Sequence, residues 1–435
     1  MKISLCKTEQ DQLPPLDLFA FLLLMIYPIA LITQLKIFYI IGLLTVFIVF
    51  LHTLLARKIN VCSFLCAKSI YLFFCVVWIS YKWALYPKET LIRAAIYMIF
   101  PWFFWLVHTL LLSGKRKWLK LALMSLPYLI FCIYIIFWIK YGAVRATSYV
   151  MKEEVGSFSN TAPAILLASL PYLFCFLMTD RKRWLLYLGG VTLTILIVFM
   201  SGGRAAYLML LLALSSITIL MRRDLISGLS LLTKIVVILF LLACVTVSVL
   251  GYKKTIGQVA LRFQQTEVPQ LEDAPTRGEV GDYGRLLMYY AGLQVIKQHP
   301  LTGIGFYGFS KYVEEIFGVS VISHNIVFTV WGELGLPGLL VFFWIVISGF
   351  VKLWRARASK ELVKSEEFFF YSASFISFGV LLTHALFRPQ LTNPLLYVVL
   401  AVAFSTAEQT KLNLMTHRAF PLPKSRMPVQ RYFLG

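Results

Sequence analysis

Charged residues are scarce in this sequence of 435 residues, and acidic ones are the scarcest. Only 14% of the residues are charged, with 20 Asp and Glu against 41 Lys and Arg. Soluble domains carry about 25% charged residues, so the composition excludes an ordinary soluble protein. Hydrophobic residues instead make up 59% of the chain, in runs of the roughly 20 residues that a helix needs to cross a bilayer. The sequence therefore predicts an all-α polytopic membrane protein.

Three further absences narrow the function. None of the seven cysteines falls in a loop predicted to face outward, so no disulfide framework is expected. No Asp-x-Asp motif or similar outward carboxylate pair adjoins the end of a span, so neither a metal nor another cofactor is expected. No repeat of fixed period is present, which counts against a transporter built from structural repeats.

The apolar runs predict about twelve transmembrane helices. They cover residues 16–34, 37–56, 61–83, 92–112, 118–139, 162–179, 184–200, 205–221, 232–250, 323–354 (interrupted), 368–387 and 394–408. Between the ninth and tenth of these runs lies one large insertion, residues 251–325, which is partly helical by its pattern. It holds seven basic and seven acidic residues. Any anion site in it therefore depends on individual residues rather than on bulk charge.

Basic residues recur on one side of the predicted membrane. They cluster at residues 57–58, 115–117, 181–183, 222–223 and 352–360 and in the C-terminal tail. The positive-inside rule assigns this side to the cytoplasm, which turns the insertion outward. The net charge of +21 is then explained by topology and by anionic lipids. Membrane lipids are expected partners, and nucleic acid is not.

Within the insertion, residues 284–299 carry apolar side chains at helical spacing. Asp282 is predicted to cap this helix and Pro300 to end it. The glycine-rich stretch PLTGIGFYGF follows and predicts tight turns. The same stretch is only weak evidence for a phosphate-binding loop.

The apolar stretch after the insertion opens with His324 and Asn325 and is interrupted by Glu333 and the glycines and proline around it. This pattern predicts a short helix, a break, and then a full span. Broken backbone at membrane depth is tolerated only against protein or a water-filled cavity. Ser323 or Asn325 can cap the short helix without the histidine, which leaves His324 available for function.

Four arginines are predicted at the outward ends of helices: Arg93, Arg204, Arg285 and Arg388. A single arginine at such a place can simply reach the interface. It can also receive a phosphate, because a helix start presents free N–H groups and a positive dipole end. Both interpretations stay open for each arginine alone, and Arg93, Arg388 and Asn325 are secondary candidates for the site.

Three motifs together resemble those of the O-antigen ligase family, a relative of the O-antigen polymerases. They are SGGRAAYL, GRLLMYYAGLQVIKQHPLTGIGFYGF and SHNIVFTVWGELGLPGLL, so the resemblance covers about residues 200–345. It implies a C-type glycosyltransferase architecture and metal-independent transfer of O-antigen polysaccharide from undecaprenyl diphosphate to a lipid A-core sugar. At the matching positions it implies that Arg204 and Arg285 bind the diphosphate and that His324 is catalytic.

The resemblance also implies the bacterial inner (cytoplasmic) membrane, with the outward side in the periplasm. Four segments follow. They are residues 1–250 with transmembrane helices 1–9, residues 251–325 as a periplasmic loop domain, residues 326–408 with helices 10–12, and residues 409–435 as a basic cytoplasmic tail.

These residue types suit the implied reaction. The planar fork of arginine binds phosphate oxygens bidentately and stays charged, and a single histidine base fits direct inversion at the sugar carbon. An O-antigen polymerase or a protein-glycosylating ligase would share the donor and the motifs, so both stay open. A lipid or polysaccharide transporter is a third alternative. It would tolerate loss of His324 better than loss of the arginines.

Overall fold

The computed structural model describes residues 67–112, 116–141, 158–201, 204–228, 282–317, 325–358, 366–387 and 395–405. Every regular element in these ranges is helical. Three predicted spans, 16–34, 37–56 and 232–250, lie outside the described residues. The total of about twelve transmembrane helices, the four segments and the C-type glycosyltransferase architecture therefore stay predictions.

The α-helices of the described ranges are numbered here in chain order. They are α1 (Lys68–Ile79), α2 (Pro87–Tyr97), α3 (Ile99–Leu112), α4 (Arg116–Tyr141), α5 (Phe158–Thr179), α6 (Trp184–Ser201), α7 (Arg204–Gly228), α8 (Asp282–Gln298), α9 (Gly308–Phe317), α10 (Ile326–Ala358), α11 (Glu366–Phe387) and α12 (Leu395–Ser405). Helices α8 and α9 belong to the insertion.

Five described segments are long and apolar enough to cross a membrane. They are Pro87–His108, Leu119–Ile136, Ala162–Thr179, Ile326–Ala358 and Glu366–Leu386. Helices α6, α7 and α12 contain shorter apolar segments. All of them coincide with predicted spans, so the chain is a multi-pass helical membrane protein. One predicted boundary is wrong: the span expected from residue 92 begins at Pro87, because proline is favoured in the first turn of a helix.

Helix α5 lies at the centre of the bundle. It packs against α4, α6, α7 and α11, and 89% of its membrane segment is buried. Two hydrogen bonds join it to α11: the Tyr172 hydroxyl donates to Ser374 Oγ at 2.8 Å, and the Ser377 hydroxyl donates to the Ala168 carbonyl at 2.6 Å. Interhelical bonds of this kind contribute about 0.6 kcal/mol each in membrane proteins.

Helix α10 packs against α1, α8 and α11 and is broken near its start. Gly335 has φ 67° and ψ −167°, a non-helical conformation inside the helix. The predicted order of short helix, break and span is therefore confirmed. The break divides α10 into a segment that lies beside the insertion and a longer segment that continues to basic residues at its end.

An ion network joins α4, α6 and α11 to the residue that follows α5, at the end of the bundle that the sequence predicts to be cytoplasmic. Lys120 Nζ lies 3.3 Å from Asp180 and 3.7 Å from Glu366, and the Tyr187 hydroxyl donates to Asp180 at 2.9 Å. Burial raises the pKa of Asp180, but the Tyr187 hydrogen bond and the charge of Lys120 outweigh it. The pKa of Asp180 is therefore below its ordinary value.

Candidate active site

Helix α8 confirms the helix predicted over residues 284–299. It begins at Asp282, so Asp282 is its first residue rather than the predicted cap before it, and it ends at Gln298, two residues before Pro300. Arg285 lies in its first turn. The helix packs along the first segment of α10.

The contacts between α8 and α10 show that the two helices run parallel. The ring of Tyr289 meets that of Phe328 edge to face, with centroids 5.6 Å apart. Further along both helices, Val295 lies against Gly332, where a Cβ atom would be 3.2 Å from the Val295 Cγ1. Both helices therefore begin at the same end of the pair.

After α8 the chain forms a tight loop, residues 299–307, which we call the docking loop. Its backbone is hydrogen-bonded to α10 around the break: Ile304 N–H donates to the Gly332 carbonyl at 2.9 Å, and Gly305 N–H donates to the Glu333 carbonyl at 2.9 Å. In return, Leu336 N–H donates to the Pro300 carbonyl at 3.1 Å. The tight turns predicted from the glycines are thus confirmed. They dock the insertion on the broken helix.

The docking loop also contacts the connection between α1 and α2. The Trp83 indole donates to the Thr302 carbonyl at 2.6 Å, and Leu85 N–H donates to the Ile304 carbonyl at 3.0 Å. Gly305 has φ 95°, and a Cβ atom there would lie 2.3 Å from that of Ala84. Only glycine allows both this backbone conformation and this close approach.

Glu333 joins the broken helix to the end of the docking loop through its side chain. The side chain is buried, with 5% of its surface exposed, and one carboxylate oxygen accepts the N–H of Tyr307 at 2.8 Å. Tyr307 has φ 64°, which is uncommon for a residue other than glycine. In the sequence, Glu333 is notable only because it interrupts an apolar run. The signal that identifies it is a carboxylate within such a run, since buried membrane carboxylates need partners.

Arg93 is exposed on α2, and its guanidinium carbon lies 4.3 Å from the centre of the Tyr307 ring. This is a cation–π contact. Arg93, predicted as a secondary site residue at an outward helix end, therefore lies beside the docking loop.

Helix α9 is attached to its surroundings by two tyrosine hydroxyls. Tyr86 donates to Glu315 at 2.5 Å, and Tyr312 donates to Gln298 at 3.1 Å. Burial raises the pKa of Tyr86, and its hydrogen bond to Glu315 raises it further. Burial also raises the pKa of Tyr312. Both phenols therefore remain neutral donors at physiological pH.

Asn325 caps α10, as the sequence allowed. Its side-chain oxygen accepts the N–H groups of Val327 at 2.8 Å and Phe328 at 3.4 Å. These bonds satisfy N–H groups at the helix start that have no partner within the helix. The cap therefore does not require His324.

The main predicted site residues are described only in part. Arg204 is the first residue of α7, where the Tyr207 hydroxyl donates to the Phe199 carbonyl of α6 at 2.9 Å. The structure describes the backbone but not the side chains of Arg204 and Arg285, and it describes neither His324 nor Arg388. Their convergence on one site stays a prediction. Within the part of the chain that the structure describes, no three His, Cys, Asp or Glu side chains are grouped as metal ligands.

Comparison with known protein families identifies a match over part of the chain. Residues 189–343 match the family model described as O-antigen ligase. A search of curated proteins gave no match to the chain. The matched stretch runs from α6 into α10 and includes Arg204, Arg285 and His324. Arg93 and the connection between α1 and α2 precede it.

Proposed function

We propose, from the match of residues 189–343 to the O-antigen ligase family model, that the chain transfers O-antigen polysaccharide between two lipid-anchored substrates. The donor is a glycan on undecaprenyl diphosphate, and the acceptor is a sugar hydroxyl of lipid A-core. The reaction takes place at the periplasmic face of a bacterial inner membrane. It is metal-independent and inverts the configuration of the transferred sugar.

The parallel packing of α8 and α10 is the observation that supports this proposal most directly. Arg285 precedes Tyr289 by about one helical turn, or about 6 Å along α8. His324 directly precedes Asn325 in the chain. Asn325 caps α10 one turn before Phe328, whose ring contacts Tyr289. Since the two rings are in contact, the register favours Arg285 and His324 as neighbours at the shared start of the pair.

Arg204 fits the same end of the bundle by topology. It begins α7, which runs toward Arg222 and Arg223, while α10 runs from Asn325 toward Arg355 and Arg357. Helices that end in basic residues on the cytoplasmic side begin on the opposite side. This direction supports Arg204 as the second arginine for the donor diphosphate.

The proposed chemistry assigns a separate task to each residue type. The guanidinium groups of Arg204 and Arg285 hold the diphosphate and stabilise the charge that it gains as the leaving group. His324 accepts the proton of the acceptor hydroxyl. The hydroxyl oxygen forms the new glycosidic bond as the bond from the sugar carbon to the phosphate oxygen breaks. Undecaprenyl diphosphate leaves, and no covalent enzyme intermediate forms.

Identification of the product tests the proposal. Purified protein is incubated with undecaprenyl-diphosphate glycan and lipopolysaccharide that lacks O-antigen, without ATP or divalent metal. We expect glycan attached to lipid A-core. Longer glycan still on undecaprenyl diphosphate would instead identify an O-antigen polymerase, and glycan on an added protein acceptor would identify a protein-glycosylating ligase. Transport of the donor across a vesicle membrane without any new bond would contradict the enzyme assignment.

A further inference from the structure

Arg93 has a supporting structure that an arginine merely reaching the membrane surface does not need. Its guanidinium lies 4.3 Å from the Tyr307 ring centre, although the two residues come from α2 and the docking loop. Among the described residues, no carboxylate forms an ion pair with Arg93. A cation–π contact leaves the N–H groups of a guanidinium able to donate hydrogen bonds to a ligand.

The backbone conformation of Tyr307 determines where its ring lies. The N–H of Tyr307 donates to the buried Glu333 carboxylate at 2.8 Å, and its φ of 64° is disfavoured for a residue with a side chain. Such a conformation persists only where the surrounding structure maintains it. Glu333 thus holds the backbone of Tyr307, whose ring contacts the Arg93 guanidinium.

The place of Arg93 in the fold indicates the chemistry of its ligand. It lies on α2, in the predicted outward part of the membrane segment Pro87–His108, beside the loop that joins the insertion to the bundle. A fixed, exposed guanidinium matches phosphate oxygens, to which it can donate two parallel hydrogen bonds. At a membrane surface, phosphate is carried by the lipid-linked donor and by phospholipid headgroups.

We infer that Arg93 binds the phosphate of a membrane-anchored lipid and that Tyr307 and Glu333 position its guanidinium for this task. The identification of that lipid as the donor rests on the proposed function. The binding site itself does not, because a phosphate can bind whether or not the chain transfers a sugar. Arg93 precedes residues 189–343, so the site is an addition to the part of the chain that matches the family.

Binding measurements on the full chain in nanodiscs test the inference without requiring turnover. Neutral nanodiscs are doped with undecaprenyl diphosphate in one arm and with phosphatidylglycerol in the other, and the affinity for each phosphate lipid is measured. The Kd of Arg93→Ala for one of these lipids should rise about tenfold or more, because the variant lacks a charge-assisted hydrogen bond to the phosphate. Loss in the first arm identifies the donor, and loss in the second alone identifies a headgroup site. No loss in either arm overturns the inference.

The positioning role of Tyr307 is tested by Tyr307→Gly. Glycine adopts a φ of 64° readily, so the variant removes the ring and keeps the backbone of the loop. It should weaken binding as Arg93→Ala does, and Tyr307→Phe should restore it. The double variant Arg93→Ala with Tyr307→Gly should bind no more weakly than Arg93→Ala alone, because the ring acts through the arginine. Additive losses would show that the two residues act separately.

Lys88→Ala provides a control for charge. Lys88 is exposed on the same helix as Arg93 and lacks the aromatic support. Its loss should change binding by less than about twofold, the small effect of an exposed charge. An equal loss from both variants would show that bulk charge attracts the lipid and would overturn the assignment to Arg93.

Glu333→Gln keeps a carbonyl oxygen that can accept the Tyr307 N–H, so it should retain lipid binding. Glu333→Ala removes the acceptor and leaves that N–H without its partner. It should weaken binding and should also lower the unfolding temperature. Loss of binding in Glu333→Gln, with the unfolding temperature unchanged, would contradict a role through the Tyr307 hydrogen bond.

Discussion

Gly335 faces the carbonyl oxygen of Leu301 so closely that a Cβ atom on Gly335 would lie 2.2 Å from it. The neighbouring Leu336 N–H donates to the Pro300 carbonyl at 3.1 Å, and the Trp331 indole donates to the same carbonyl at 3.0 Å. The break in α10 and the docking loop therefore form one joint. The shape of the helix and the position of the insertion depend on each other.

Gly335→Ala should separate the docking loop from α10. The added methyl group would overlap the Leu301 backbone, and φ 67° costs a residue with a side chain about 1–2 kcal/mol by itself. We expect a loss of stability of more than about 2 kcal/mol. Thermal unfolding in detergent measures the loss, and protease cleavage within residues 299–307 should become faster.

Gly379→Ala is the matched control. Gly379 lies in α11, and a Cβ atom there would meet nothing within 4 Å. Alanine is favoured over glycine in a helix by about 1 kcal/mol, so this variant should be as stable as the wild type or more so. Equal destabilisation of both variants would show that the joint has no special role.

The sequence predicts the helical elements well because their signals are local. Apolar runs locate α5 and α11, Pro300 follows the end of α8, and Gly335 with its neighbours indicates a break in α10. The joint itself could not be predicted, because its contacts join residues far apart in the chain. Neither Trp83 nor Glu333 carries a pattern that identifies Thr302 or Tyr307 as its partner.

Asp180→Asn should lower stability near neutral pH. Hydrogen bonds to a charged group contribute about 1.5–3 kcal/mol, and Asp180 accepts one from Tyr187 and pairs with Lys120. Its pKa is lowered from an ordinary 3.8, so the stabilisation is complete above that pH and is lost as the pH falls through the lowered value. The unfolding temperatures of wild type and variant should therefore converge in strong acid.

Glu314→Gln is a suitable comparison for Asp180→Asn. Glu314 pairs with Lys311 at 3.3 Å, but both side chains are more than 40% exposed. Exposed pairs of this kind contribute about 0–1 kcal/mol. If Glu314→Gln loses as much stability as Asp180→Asn, then burial does not explain the contribution of Asp180 to stability.

Transfer activity should persist in EDTA. The prediction depends on the arginines, which can neutralise the diphosphate leaving group without a metal ion. Initial rates are measured before and after chelation, then after adding magnesium, manganese or calcium back. A rate that collapses in chelator and returns with one of these ions would reveal a metal site.

Arg285→Lys should lower donor affinity and turnover while the fold survives. Lysine keeps the positive charge but cannot donate two hydrogen bonds in one plane. We expect kcat/KM for the donor to fall about tenfold or more, since bonds to charged groups contribute about 1.5–3 kcal/mol. Arg204→Lys should behave alike. Lys297→Arg, at the far end of the same helix α8, should leave the kinetics unchanged, and wild-type kinetics in Arg285→Lys would remove Arg285 from the site.

His324→Ala should abolish transfer and leave donor binding nearly intact. General-base catalysis contributes about 10²–10⁴-fold to a rate, and Asn325 already caps α10, so the histidine is not needed for folding. Wild-type activity should fall in acid as a histidine base becomes protonated. His299→Ala, which removes a histidine after α8, should keep both the activity and this pH dependence. If purified His324→Ala retains more than about a tenth of wild-type turnover, the proton is accepted by another group.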